Sequence, residues 1–148
     1  MEVNIREATV ADIDELVRLD TIAPHDSTRK FFIRKWVDDG ECFVAVKADC
    51  IVGYGVLNYS FFHLGNVDML MIHSEFRQQG IGRKLLRHLE TRCKTKKFWV
   101  TTNLSNQPMQ KLLASEGFVL SGFVDNLDEG DPELIFLKNL RNLGKYRS

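Results

Sequence analysis

Arg77-Gln78-Gln79-Gly80-Ile81-Gly82-Arg83-Lys84-Leu85-Leu86 sets two glycines one residue apart where a helical apolar pattern begins. Ile81, Leu85 and Leu89 share one helical face, with Leu86 beside them; Arg83, Lys84, Arg87 and Arg92 share the other. The spacing predicts a helix running to about Cys93. Glycine costs a helix about 1 kcal/mol relative to alanine, so a pair at the start needs a reason. The first amides of a helix have no intrahelical acceptor and carry partial positive charge. Glycine lacks the Cβ that keeps a bulky anion at a distance. Gly80 and Gly82 therefore admit a phosphate to bare amides, and Arg77, Arg83 and Lys84 add positive charge. An apolar strand over residues 67–72 delivers the chain to this point. Strand, short loop, glycine pair and helix together describe a diphosphate cradle.

Two other phosphate sites are excluded. No G-x-x-x-x-G-K-[ST] is present, so this is not a P-loop. The third glycine of a dinucleotide fingerprint is missing, and the strands upstream read as antiparallel.

Working outward, residues 3–7 alternate and read as a strand. Thr9-Val10-Ala11-Asp12 resembles a capping box and opens a helix with Ile13, Leu16 and Val17 on one face. A second helix covers residues 27–37, with Phe31, Phe32 and Trp36 as apolar anchors, and Asp38-Asp39-Gly40 stops it. Residues 42–46 and 51–61 read as strands joined by a turn at 47–50. A further turn at Leu64-Gly65-Asn66 leads into strand 67–72 and completes an antiparallel meander. Beyond the central helix, residues 98–102 read as a strand. Ser105-Asn106 caps a helix in which Met109, Leu112 and Leu113 point inward and Gly117 ends the run. Residues 118–124 and 134–137 make a last strand pair joined by an acidic loop. The order is β-α-α-β-β-β-α-β-α-β-β, and only its middle alternates as a parallel crossover requires. The fold class is α/β with a mixed (α+β) sheet of about seven strands flanked by about four helices.

The length of 148 residues suits a single domain, residues 1–148. Twenty basic side chains balance twenty acidic ones, which gives no global reason to expect nucleic acid or an anionic membrane as partner. Cys42, Cys50 and Cys93 are odd in number and far apart, with no CxxC and no histidine at ligand spacing, so they read as reduced thiols in a cytoplasmic protein and no metal is expected. The N-terminus lacks the pattern of a signal peptide, and no apolar run reaches the roughly 18 residues of a membrane span.

The run Leu70-Met71-Ile72-His73-Ser74-Glu75-Phe76-Arg77-Gln78-Gln79-Gly80-Ile81-Gly82 resembles the signature of the GNAT superfamily of acyl-coenzyme A-dependent N-acetyltransferases. That signature is an apolar strand, a short turn and [RQ]-x-x-G-x-[GA] opening a helix. Ser105-Asn106, followed by a helix ending in Glu116-Gly117-Phe118, resembles the family's next motif, and the order of elements matches over nearly the whole chain. The resemblance implies a GNAT-like fold with acetyl-CoA as cosubstrate. Leu70, Met71 and Ile72 would face the pantetheine arm with main-chain groups. The amides of Gln78, Gln79, Gly80, Ile81, Gly82 and Arg83 would hold the pyrophosphate with Arg77, and Asn106 would hydrogen-bond the pantetheine while capping its helix.

GNAT-like chemistry is direct attack of a neutral amine on a thioester. A lysine-like amine needs a base near neutral pH, because deprotonation there costs on the order of 4–5 kcal/mol. Asp68 is the chosen carboxylate, a lone charge on the apolar strand. Thr101 lies where some relatives carry a glutamate base, and Leu113 lies where many carry a tyrosine acid. Tyr54 and Tyr59 are the alternative acids from the central hairpin strand, and thiolate departure without a protein acid is equally compatible.

The acceptor is expected to be a small-molecule or peptide amine. Five acidic side chains in the nine residues 125–133 form either a solvated hairpin loop or a funnel for a cationic amine. The state expected is monomer or homodimer. The rival from another class is a non-catalytic acyl-CoA-binding module; a nucleic-acid-binding reading lacks both net charge and an aromatic platform.

Overall fold

The order of elements expected from the sequence is the order observed. The computed structural model describes residues 2–140. It comprises β1 (Val3–Glu7), α1 (Ile13–Leu19), α2 (Ser27–Asp38), β2 (Cys42–Lys47), β3 (Cys50–Phe61), β4 (Leu64–Ile72), α3 (Ile81–Arg92), β5 (Lys97–Asn103), α4 (Gln107–Ser115), β6 (Val119–Val124) and β7 (Glu133–Asn139). The strands belong to one seven-stranded mixed sheet in the order β1-β2-β3-β4-β5-β7-β6. The chain divides into two compact units. Among the described residues, one holds 2–57 with Met69–Thr91; the other holds Asn58–Asp68 with 92–140.

In the first unit, β1, β2 and β3 pair antiparallel in sequence order. Ala48 and Asp49, both left-handed at φ 50° and 64°, make the tight turn between β2 and β3. Thr9 N–H donates to Asp12 Oδ2 at 2.7 Å, the half of the capping box in which the acidic residue reaches back. Arg6 grips the same carboxylate with two hydrogen bonds at 2.8 and 3.0 Å and holds Asp12 below the usual carboxylate range. Asp26 caps α2, accepting from the amides of Thr28 and Arg29.

The inward stripe of α2 is Ile33, Trp36 and Val37. Trp36 is an anchor as expected; Phe31 and Phe32 are not, being exposed. Phe32 is the i+4 neighbour of Trp36 and stacks on it at 5.9 Å, at the margin of the buried stripe, while Phe31 leans on Phe32 from outside. Two of the buried clusters lie in this unit. The first gathers Leu16, Ile33, Trp36, Val44 and Tyr54, and the second gathers Ala45, Val52, Ile81 and Leu85. Neighbouring residues of β2 enter different clusters because successive side chains of a strand point to opposite faces. β4 behaves alike: Met69 and Met71 pack on the first cluster, Leu70 and Ile72 on the second.

In the second unit, the turn before β4 is Phe62-His63, with φ of 55° and 63°, and Leu64-Gly65-Asn66 belong to the strand. The glycine there serves a close approach rather than a turn. A Cβ on Gly65 would lie 2.2 Å from Cys93 Sγ, and the Gly65 amide donates to Thr95 Oγ1 at 2.9 Å. β4 pairs parallel with β5, Gly65 to Val67 opposite Phe98 to Val100. The parallel crossover through α3 is therefore as expected. β6, which follows α4, is not the neighbour of β5: β7 lies between them, antiparallel to both. Phe118 N–H donates to the Leu113 carbonyl and Gly117 N–H to that of Ala114, the paired bonds of a Schellman stop. Phe118 then packs on the buried Phe98, ring centroids 5.7 Å apart.

Candidate active site

The first unit holds the loop between β4 and α3. His73 N–H donates to the Val52 carbonyl at 2.8 Å, which ties the end of β4 to β3. A single 3-10 turn, Ser74–Phe76, follows, with Glu75 N–H donating to His73 Nδ1 at 3.1 Å. Gln78 and Gly80 are both left-handed, at φ 61° and 80°. Left-handed residues interleaved with ordinary ones turn successive amides toward one side, the geometry of an anion-binding nest. Residues 77–80 are exposed, and a Cβ added to Gly80 would meet no atom within 4 Å. Ile81 then plunges into the core and starts α3, whose Leu85, Leu86 and Leu89 are buried.

The side chains of Leu70 and Ile72 are committed to packing, which leaves their main chain as what β4 offers a ligand. Arg77 Nε–H donates to the Ile72 carbonyl at 3.2 Å, fixing the arginine beside the strand end with its terminal nitrogens still available. Lys84 is turned away from the loop, its ammonium donating to the Val3 carbonyl. A cation the sequence did not suggest stands there instead: Lys47 Nζ donates to Gln79 Oε1 at 3.2 Å.

Tyr54 is fully buried, and its hydroxyl donates to Asp20 Oδ2 at 2.6 Å. Asp20 also takes Arg29 at 2.9 Å and the amides of Ile22 and Ala23 at 2.8 and 2.9 Å. Burial opposes the Asp20 charge, yet the hydrogen bonds from Tyr54, Ala23, Ile22 and Arg29 outweigh it and hold the carboxyl below its ordinary value. Burial and the neighbouring Asp20 push the Tyr54 hydroxyl well above its ordinary value. Its single proton is thus held by Asp20, a hub no local motif announces.

In the second unit, Asp68 is exposed on β4 and accepts from Asn58 Nδ2 at 3.0 Å. Asn58 is buried; its Oδ1 takes the hydroxyl and amide of Ser60, so its NH₂ group must face the carboxylate. Asn106 caps α4, Oδ1 accepting from Met109 N–H at 3.3 Å, and its exposed NH₂ has no protein partner among the described residues. Leu113 is a core residue, fully buried. The acidic loop is partly tied down: Asp131 accepts from the hydroxyl and amide of Ser105 and Asp128 from Asn103 Nδ2, so two of its five carboxylates hold residues 103–105. Among the described residues, no group of three or more His, Cys, Asp or Glu is arranged to hold a metal ion. No helix among them is long and apolar enough to cross a membrane.

The profile of the acetyltransferase (GNAT) family matches residues 10–118, and the chain belongs to that family. The family is one of acetyltransferases, and acetyl-CoA is its cosubstrate. A GNAT-family acetyltransferase from Bacillus cereus ATCC 10987 is 30% identical, with a TM-score of 0.88 over 95% of this chain and 99% of the other. The ribosomal-protein-S18-alanine N-acetyltransferase of Escherichia coli shares the fold at 17% identity, with a TM-score of 0.77 over 97% of both chains. N-alpha-acetyltransferase 30 of Xenopus laevis is 29% identical over 123 residues, 76% of this chain; the chain spans 44% of that relative's length.

Proposed function

We propose that this chain transfers the acetyl group of acetyl-CoA to the α-amine of a peptide or protein by direct attack of the neutral amine on the thioester. The observation that carries the donor half is the exposed loop from Arg77 to Gly80, with two left-handed residues leading into the open first turn of α3. The amides of Gln78, Gln79, Gly80, Ile81, Gly82 and Arg83 hold the diphosphate. Arg77 adds charge, Leu70, Met71 and Ile72 offer main-chain groups to the pantetheine, and Asn106 adds its free NH₂. When bound, acetyl-CoA supplies the activated acyl group.

Asp68 is the proton acceptor. Asn58 occupies one carboxylate oxygen and leaves the other for the amine or a bridging water. Tyr54 is a buried strut of the Asp20 hub rather than the acid, and the thiolate, a good leaving group with pKa near 8.5, departs without one. An α-amine suits this sparse machinery. Its pKa of about 8 makes the neutral form cost about 1 kcal/mol at pH 7, against about 4–5 for a lysine amine. Similarity to N-alpha-acetyltransferase 30 and to the S18-alanine enzyme supports the same class of acceptor. The free thiols Cys42, Cys50 and Cys93 support a reducing compartment such as the cytoplasm.

The test is thiol release from acetyl-CoA across a panel of peptides with free or blocked N-termini, lysine analogues and small amines. Release with free N-terminal peptides alone is expected, and release confined to lysine or small amines would reverse the acceptor assignment. Asp68→Asn should lower turnover about 10²–10⁴-fold at neutral pH; an unchanged rate would remove Asp68 from the mechanism.

A further inference from the structure

Lys47 ends β2, and its half-buried side chain crosses to a loop 32 positions further along, where Nζ donates to Gln79 Oε1 at 3.2 Å. The ammonium also lies over the Phe76 ring, 5.5 Å from its centroid, and Phe76 is met edge-on by His73 at 5.6 Å. Charge, hydrogen bond and ring face together fix where this cation sits. Gln79 takes one of its three N–H donors, and the others are left for a ligand. Of the basic groups expected at the loop, Lys84 is spent on the Val3 carbonyl, and Arg77, bound through Nε to Ile72, keeps its terminal nitrogens for the diphosphate.

The contact to Gln79 is with its side chain, not its amide. Lys47 thus meets the loop through a side chain and leaves the loop amides to the diphosphate. Coenzyme A carries a second anion, the phosphate on the 3′-oxygen of its ribose. We propose that Lys47 is the binding cation for that ribose phosphate, positioned by Gln79 and Phe76. This rests on the coenzyme assignment made above.

Calorimetry with coenzyme A and with dephospho-coenzyme A, which lacks only the ribose phosphate, tests it. Lys47→Ala should weaken coenzyme A about tenfold at low salt, while dephospho-coenzyme A changes by less than about twofold. Lys47→Gln, which keeps a polar partner for Gln79 but no charge, should behave like Lys47→Ala, and Lys47→Arg should retain the preference for coenzyme A. An equal loss for both ligands would mean that Lys47 merely shapes the loop, and an unchanged affinity for coenzyme A would mean that it touches neither phosphate; each overturns the proposal. Failure of the wild-type chain to bind either coenzyme A or dephospho-coenzyme A would instead overturn the cradle assignment, and this one with it.

Discussion

Asp20 shows how much one residue can organise. Its carboxylate is fully buried yet charged, because Tyr54, Arg29 and two amides of the connection between α1 and α2 converge on it. A buried charge survives only when paired and hydrogen-bonded. Its depressed pKa contributes stability that is present above the unfolded carboxylate value, near 3.9, and is lost as pH falls through the lower folded value. Tyr54→Phe removes one of those bonds and should cost about 1–3 kcal/mol. The cost should be largest near neutral pH and shrink in acid, where the carboxylate is protonated in both proteins. Urea midpoints of the two proteins at neutral and acidic pH measure it. Neither partner advertises the pairing: Tyr54 reads as one more aromatic on a strand, and Asp20 as the residue after a helix. By contrast, Asn106 was legible from the chain alone, because an N-cap acts within three residues.

Among the elements, helices and hairpins follow their local chemistry closely. Capping residues, the periodicity of α3 and the glycine that ends α4 act within a turn or two, and the observed bounds agree with the expected ones to within two residues. The exceptions have local causes of their own. The β3–β4 turn carries no glycine, proline or asparagine, so Phe62-His63 gave no turn signal, and Gly65 drew the expectation two residues downstream. What Gly65 does is let β4 pass Cys93. Gly65→Ala should therefore destabilise by about 1–3 kcal/mol through overpacking. Cys93→Ala in the same chain should recover much of that loss; a double-mutant cycle by chemical denaturation reads the coupling, and strict additivity would contradict the contact. Gly80 differs, being left-handed beside open space, so its role concerns what enters that space.

At the scale of the molecule, the coenzyme is expected to act as a stabilising ligand. Saturating coenzyme A at about 100 times its dissociation constant should add about 2.7 kcal/mol. That corresponds to a rise in Tm of roughly 5–11 °C for a chain of this size, measurable by scanning calorimetry. Lys47→Ala should reduce the rise at a fixed concentration of coenzyme A.

Element identities, their order, the parallel crossover through α3 and the glycine-opened loop were determined by the sequence by itself, because each rests on residues within one or two turns of one another. Family resemblance followed from the same local run. Only the tertiary structure decided that β7 lies between β5 and β6, that Tyr54 spends its proton on Asp20, that Asn58 faces Asp68 and that Lys47 reaches Gln79. These contacts join residues 10 to 34 positions apart. No spacing rule marks such pairs, because which strand edges and side chains meet is settled by burying apolar faces across the whole chain at once, a choice that leaves no periodic trace in any single segment.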